Sequence, residues 1–222
     1  MNWNIPNMLT VARLLAAPGV AIMFLYFTRP YADWFALALF VIASLTDFLD
    51  GYLARLWKQE SKFGTMLDPI ADKAMVVIAL LVITGYTGMN PWLILPATVI
   101  LFREVFVSGL REFLGADAGK LAVTKLAKWK TTAQMVAIAV LFLGMGLEQV
   151  HLNIFYFTDP TDYQMALDDA NWNRTTIAME GGFYAGIVGI VLMWFAAILT
   201  AITGFDYFSK AMPYLRDDPR ND

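Results

Sequence analysis

The sequence predicts an all-helical, polytopic membrane protein with six transmembrane helices. The chain has 222 residues, of which 59% are hydrophobic and only 16% charged, so it is far more apolar than a soluble domain of this length. A bilayer core about 30 Å thick requires roughly 20 mostly apolar residues per spanning helix. Six such stretches lie near 8–28, 34–55, 67–89, 92–112, 124–147 and 181–204. They largely lack the polar face that a soluble helical bundle would need.

The positions of the basic residues predict the orientation of the spans. Lys and Arg collect in cytoplasmic loops, and of the sixteen in this chain only Arg29 and Arg174 fall on the opposite side of the six spans. This places both termini in the cytoplasm. The connection at about 148–180 is rich in Asp and Glu, so we expect a polar loop that faces outward.

The rest of the composition indicates a single domain over 1–222 and excludes several kinds of site. There is no cysteine and one histidine, which rules out disulfides, thiol nucleophiles, thiolate zinc sites and histidine metal clusters. We expect His151 to be structural and the first span to be retained, since no cleavage site precedes it. The aromatic residues of the outer connection are expected to be interfacial anchors: Phe155, Tyr156, Phe157, Tyr163 and Trp172.

The second predicted span carries carboxylates at membrane depth. Asp47 comes thirteen residues after Trp34, too early for the chain to have left the membrane. An ionisable residue there is costly, which makes it a functional candidate that requires a partner. One helical face carries Asp47, Asp50, Gly51 and Ala54. The two small residues allow a helix or a nucleotide to approach the backbone, and Arg55 offers a planar fork suited to phosphate.

The third span adds two acids on one face, because Gly64, Asp68 and Asp72 are spaced four residues apart. Four such carboxylates would repel one another unless cations intervened. Oxygen ligands without His or Cys favour Mg²⁺ or Mn²⁺, and two ions about 4 Å apart can clamp a diphosphate. The simpler alternative is a solvated helix end, or salt bridges to nearby basic residues, namely Arg55, Lys58, Lys62 and Lys73.

The run from Asp47 to Asp72 resembles the signature of the CDP-alcohol phosphatidyltransferases at every fixed position. It reads Asp, two residues, Asp-Gly, two residues, Ala-Arg, eight residues, Gly, three residues, Asp, three residues, Asp. The resemblance implies a six-helix fold in the bacterial inner membrane, usually dimeric, with the site open to the cytoplasm. It implies that Asp47, Asp50 and Asp68 are the principal metal ligands and that Asp72 is also the base. The CDP group would meet Gly51, Ala54, Arg55 and Gly64.

Charged residues in later spans indicate a phosphorylated acceptor, which needs more cations than inositol, serine or choline does. In REVFVSGLRE one face carries Glu104, Ser108 and Arg111, with Arg103 beside them. An internal pair between Arg103 and an acid such as Glu104 is an equal alternative. In KLAKWKTTAQM, Lys125, Lys128 and Thr132 share a face, while Lys130 points elsewhere. Such a basic run is also typical of a cytoplasmic flank that meets anionic headgroups. The expected phosphate ligands are Arg103, Ser108, Arg111, Lys125 and Lys128.

The segments NIPNMLTVARLLAAPGV, REVFVSGLRE and KWKTTAQM are similar to the branch of this family whose donor is CDP-diacylglycerol and whose acceptor is glycerol 3-phosphate. The similarity implies that Asn7, Thr10 and Arg13 lie near the nucleotide entrance. Asp72 would take the proton of the acceptor hydroxyl as that oxygen attacks the lipid-side phosphorus and CMP leaves. Besides its substrates we expect membrane lipids and a second copy of the chain as partners, and no nucleic acid.

Two alternatives remain open from the sequence. The first keeps the same chemistry with another acceptor: inositol phosphate, serine or phosphatidylglycerol. The second is a cation transporter that uses the acids as an ion pathway. A transporter predicts acids spread across the membrane and spans broken near its midplane, whereas these four acids gather near one face.

Overall fold

In its computed structural model the protein is built from helices. The structure describes residues 5–57, 61–115, 119, 125–169 and 172–215, with the side chains of 48–55, 57 and 125–128 outside that description. Within these ranges there are seven helices and no strand. The helices are α1 (Ile5–Tyr26), α2 (Tyr31–Trp57), α3 (Lys62–Tyr86), α4 (Pro91–Leu114), α5 (Lys125–Phe157), α6 (Pro160–Asp168) and α7 (Arg174–Leu215).

The predicted all-helical class is confirmed, and the six predicted spans fall on α1 to α5 and α7. Among the described residues, four segments are long and apolar enough to cross a bilayer: Ile5–Tyr26, Pro91–Leu114, Trp129–Phe157 and Arg174–Leu215. Helix α3 is not one of these four segments. Its first half carries Lys62, Asp68, Asp72 and Lys73, so that only a short run of the helix is free of charged residues. The count of six spans and the cytoplasmic termini stay predictions.

The helices surround one main apolar core. Helix α1 packs on α2 and α3, α5 packs on α2 and α7, and α4 packs on α7. The largest fully buried apolar side chains include Phe40, Met75, Ile138, Phe142 and Met193. Many large apolar side chains instead face outward, among them Leu25, Leu81, Phe102, Val105 and Val191. An apolar exterior around an apolar core is the pattern of helices that meet lipid.

Glycines allow α5 and α7 to pack closely. A Cβ atom at Gly182 would lie 3.0 Å from the backbone N of Glu148, and one at Gly189 would lie 2.7 Å from the Leu141 side chain. Small residues at such crossings let helix backbones approach in a membrane, where dispersion contacts drive association. The apolar part of α7 therefore packs closely on α5 at the main core.

Helix α7 is longer than a bilayer core. Its 42 residues correspond to about 63 Å of helix, whereas the hydrocarbon core is about 30 Å thick. Its C-terminal turns pack on the end of α4 in a second apolar cluster, which consists of Val107, Leu114, Tyr207 and Ala211. The last helix therefore continues past the apolar core and joins the end of α4.

Most of the stretch predicted as an outer loop at 148–180 is helical. Helix α5 continues to Phe157, α6 follows, and α7 begins at Arg174. The Thr161 hydroxyl and backbone N–H both donate to Asp159 at the start of α6, and they hold the pKa of that carboxyl below its usual value. His151 Nε2 lies 2.9 Å from the Tyr163 hydroxyl and so links α5 to α6.

A buried ion pair near the N-terminus of α2 joins three helices. Asp33 is fully buried, and its carboxylate accepts from Arg29 Nε at 2.8 Å and from Arg29 Nη2 at 2.6 Å. Arg29 Nη2 also donates to the Met145 carbonyl of α5 at 3.2 Å. The guanidinium lies 5.2 Å from the ring centroid of Tyr86 in α3. Asp33 thus compensates a charge that holds α2, α3 and α5 together.

We expect Asp33→Asn to lower the free energy of unfolding by about 3 kcal/mol, because it leaves the Arg29 charge without its carboxylate. The matched control is Asp206→Asn, which breaks another pair at the same i, i+4 spacing. That pair is exposed, with 41% of the Lys210 side chain and 42% of the Asp206 side chain accessible, so its loss should cost less than about 1 kcal/mol. Thermal unfolding in detergent measures both. Equal losses would show that the buried pair has no special role.

Candidate active site

Helix α1 presents a buried polar face to α3. Asn7, Thr10 and Arg13 recur every three residues and are all buried. Polar groups in such a place are costly unless they are partnered. Thr10 Oγ1 donates to Asp68 Oδ1 at 2.9 Å, and Ser61 Oγ, at the start of α3, donates to Asn7 Oδ1 at 2.7 Å. The polar face of α1 is therefore paired with the first turns of α3.

Arg13 is the point at which three aspartates from two other helices meet. Its Nη1 donates to Asp72 Oδ1 at 2.8 Å and its Nη2 to Asp68 Oδ1 at 3.1 Å, and Nη1 also forms an ion pair with Asp47. The side chains of Asp47, Asp68 and Asp72 are 40%, 44% and 39% exposed, so the acids remain accessible. One positive charge among three negative ones leaves a net charge of −2, which favours further cations.

Three of the four predicted metal ligands are thus brought together, while the side chains of Asp50, Gly51, Ala54 and Arg55 lie outside the described residues. The sequence interpretation did not identify Arg13 as the partner of these acids. A signal was available, because Arg13 lies eight residues into an apolar helix and a charge at that depth requires a counter-charge. In the described part of the chain, neither Lys62 nor Lys73 forms an ion pair with the three aspartates.

Gly64 lies where α1 comes close to α3, and a side chain there would crowd Asn7 and Ser61. A Cβ atom at this position would lie 2.7 Å from Asn7 Oδ1 and 3.3 Å from Ser61 Oγ. Ser61 caps α3 by accepting from the Gly64 N–H at 3.0 Å while it donates to Asn7. The contact of Gly64 with a nucleotide stays a prediction.

A cavity of about 600 Å³ is lined both by acids that meet Arg13 and by a group of cations, which we call its acidic side and its basic side. Its acidic side is formed by Asp47 and Asp72. Its basic side is formed by Lys73, Arg103, Arg111 and Lys130. Glu104, Thr131, Thr132, Gln134 and Met135 also line it. One cavity therefore offers carboxylates for cations and basic groups for an anion.

Glu104 holds two members of the basic side. Its Oε1 accepts from Arg103 Nη1 at 3.1 Å and forms an ion pair with Lys130 Nζ. Lys73 Nζ donates to Ser108 Oγ, which donates to the Glu104 carbonyl at 2.5 Å. The pair between Arg103 and Glu104 considered from the sequence is present, and Arg103 lines the cavity as well. Cations from α3, α4 and α5 are thus connected through one acidic residue.

The expectation that Lys130 points away from the site is wrong, because Lys130 is buried and lines the cavity. Thr131 and Thr132 line it too, so the cavity covers a wide arc of α5 and is not limited to the face of Lys125, Lys128 and Thr132. The side chains of Lys125 and Lys128 lie outside the described residues. Ser108 reaches the basic side through Lys73, and Arg111 lines it directly.

The chemistry of the acidic residues fits a hard divalent cation, since they supply only oxygen donors and already meet around a positive group. Among the residues that the structure describes, no three Asp, Glu or His side chains form a ready metal-ligand set, because the three aspartates are directed at Arg13. A divalent ion bound by these acids would share them with the guanidinium.

A sequence model of the CDP-alcohol phosphatidyltransferase family matches residues 3–202, which is most of the chain. The chain therefore belongs to the CDP-alcohol phosphatidyltransferase family, as the spacing of its aspartates indicated.

Several relatives share one more particular name, CDP-diacylglycerol–glycerol-3-phosphate 3-phosphatidyltransferase. The protein of that name from Cereibacter sphaeroides is 65% identical over 232 residues, covering 98% of this chain and 100% of the relative. The one from Rickettsia bellii is 36% identical, covering 95% and 97%. The one from Haemophilus influenzae is 34% identical, covering 98% of each chain. The similarity to these enzymes extends over their whole length.

We expect Gly64→Ala to lower CMP release from a CDP-linked lipid by about tenfold, which corresponds to about 1.4 kcal/mol of activation free energy, because the added methyl group would displace the Asn7 and Ser61 side chains that join α1 to α3 at the site. The control is Gly85→Ala in the same helix, where a Cβ atom would meet nothing within 4 Å. Turnover and melting temperature should be measured for both variants. Normal turnover of Gly64→Ala would contradict the requirement for close approach.

Proposed function

We propose that the chain transfers the phosphatidyl group of CDP-diacylglycerol to glycerol 3-phosphate, giving phosphatidylglycerophosphate and CMP. The observation that carries this proposal is one cavity lined both by the acidic side, Asp47 and Asp72, and by the four cations of the basic side. A diphosphate held through divalent ions suits the first side, and the phosphate of the acceptor suits the second. The full-length similarity to relatives named for this reaction supports the same assignment.

The donor would lie on the acidic side. Asp47, Asp50, Asp68 and Asp72 would hold two Mg²⁺ or Mn²⁺ ions, which when bound neutralise the diphosphate and orient the leaving group. Arg13 keeps the described aspartates directed at one point. The proposed CDP-lipid contacts are Asn7, Thr10, Arg13, Gly51, Ala54, Arg55 and Gly64.

The acceptor phosphate would lie on the basic side. Four cations line the cavity there, and the one carboxylate among them, Glu104, neutralises only part of their charge. The excess suits a phosphate dianion, whereas serine or inositol would leave several cations without an anion. Arg103, Arg111 and Lys130 line the cavity and would bind it directly. Lys125, Lys128 and Ser108 complete the proposed set.

Asp72 is the proposed base. It lines the cavity together with the cations of the basic side, and its side chain is accessible. As the acceptor hydroxyl oxygen forms its bond to the lipid-side phosphorus, its proton passes to the Asp72 carboxylate. The bond from that phosphorus to the bridging oxygen breaks, and CMP leaves with the electron pair. No covalent intermediate with the protein is required, so positioning and electrostatics supply the catalysis.

The same proposal includes the placement of the enzyme. Six spans with both termini in the cytoplasm would put the cavity at the cytoplasmic face of the bacterial inner membrane, where soluble glycerol 3-phosphate is available. The basic residues that flank the spans support this orientation. The connection at 148–180 would lie outside, and the chain would act as a homodimer.

The decisive assay supplies purified protein in detergent with CDP-diacylglycerol and one candidate acceptor at a time. CMP should be released rapidly with glycerol 3-phosphate, and slowly or not at all with inositol phosphate, serine or phosphatidylglycerol. A chelator should abolish the reaction, and added Mg²⁺ or Mn²⁺ should restore it. Faster CMP release with another acceptor would reassign the substrate, and full turnover in excess chelator would remove the divalent ions from the proposal.

We expect Asp72→Asn to lower kcat by about 10²–10⁴, because the amide cannot accept the hydroxyl proton. Asp206→Asn, which alters an exposed pair far along α7, serves as the control and should keep normal turnover. Steady-state kinetics should be combined with a measurement of divalent-ion binding. An Asp72→Asn variant that binds the ions and turns over normally would show that another group is the base.

A further inference from the structure

The four cations of the basic side are held in different ways. Arg103 and Lys130 share the Glu104 carboxylate, and Lys73 donates to Ser108. Arg111 has no carboxylate partner in the part of the chain that the structure describes. Its guanidinium carbon instead lies 5.3 Å from the ring centroid of Tyr207. Arg111 thus approaches the cavity with its charge uncancelled by a described acid.

The side chain of Tyr207 is held in place by the residues around it. It is buried in the second apolar cluster against Val107 and Leu114 of α4 and Ala211 of its own helix. Its hydroxyl is buried, and no described residue forms a hydrogen bond with it. The contact with Arg111 is therefore made by the ring. The hydroxyl forms no hydrogen bond with a described residue and takes no part in this contact.

An aromatic ring and a carboxylate have different effects on an arginine that binds phosphate. The face of the ring attracts the guanidinium through its quadrupole and carries no net charge. A carboxylate would also orient the guanidinium, but it would compete with the phosphate for the same donors. A ring beneath Arg111 therefore restrains the side chain and leaves its full charge and its N–H donors for an incoming dianion.

We propose that Tyr207, on the extension of α7 past the apolar core, is a positioning residue that holds Arg111 for the phosphate of the acceptor. This inference rests on the proposed function, in which Arg111 binds that phosphate. It gives the last helix a part in acceptor recognition, although the aspartates and all four cations of the basic side lie on other helices. The ring acts through Arg111 and does not touch the reacting atoms.

The test separates the ring from the hydroxyl and from packing. Tyr207→Leu should raise the KM for glycerol 3-phosphate about fivefold, with kcat and the KM for CDP-diacylglycerol unchanged. Tyr207→Phe should keep the normal KM, because it retains the ring. The matched control is Phe208→Leu on the same helix, whose ring lies 5.6 Å from that of Phe106. This variant should also keep the normal KM.

A double-mutant cycle shows whether the effect passes through Arg111. Arg111→Gln should raise the KM for glycerol 3-phosphate, and Tyr207→Leu added to it should raise the KM no further. A full additional fivefold rise in that background, or a rise with Tyr207→Phe alone, would overturn the proposal.

A second measurement does not depend on the stability of Tyr207→Leu. Phenylalanines with increasing fluorination at position 207 keep the size of the ring and progressively remove the negative potential of its face. The KM for glycerol 3-phosphate should rise along this series, and a constant KM would overturn the inference. A wild-type protein that does not use glycerol 3-phosphate would overturn the proposed function as well. If the wild type uses it and position 207 has no effect on KM, only the inference fails.

Discussion

The structure depends on the placement of three aspartates around Arg13. Carboxylates at membrane depth are costly alone, and here they come from α2 and α3 while the counter-charge comes from α1. Arg13 reaches the acids from the polar face of α1, on which Asn7 and Thr10 are also buried. Their hydrogen bonds to Ser61 and Asp68 satisfy that burial. Helix α1, which carries none of these acids itself, therefore organises them.

Charge is balanced differently on the two sides of the cavity. On the acidic side an excess of carboxylates surrounds a single guanidinium, which suits added cations. On the basic side one carboxylate, Glu104, joins two cations and leaves an excess of positive charge, which suits an added anion. The proposed reaction brings a diphosphate and a phosphate together, and their mutual repulsion must be overcome. An excess of carboxylates that binds cations and an excess of basic groups that binds an anion, in one cavity, can accommodate both the diphosphate and the phosphate.

The sequence predicted the helical class from composition and the acidic faces of the second and third spans from helical spacing. It predicted the family through the resemblance of the run from Asp47 to Asp72 to a known signature. It did not predict the pairing of Arg13 or the orientation of Lys130. Helical phase shows which residues of one helix share a face, but not which neighbour that face meets. Residues over a wide arc of α5 line the cavity, and Lys130 is among them. The single face predicted for this helix therefore included too few residues. Nothing local links Arg111 to Tyr207, which lies 96 positions later.

By itself the sequence determined that the chain is helical and apolar and that its acids follow the spacing of the family, since these properties reside in consecutive residues and fixed periods. The tertiary structure decided which charges compensate one another. It brought Arg13 to acids of two other helices, placed Glu104 between cations, and set an aromatic ring of the last helix beneath Arg111. Electrostatic and cation–π contacts act over a few ångströms in space. Only the packing of distant segments can create them.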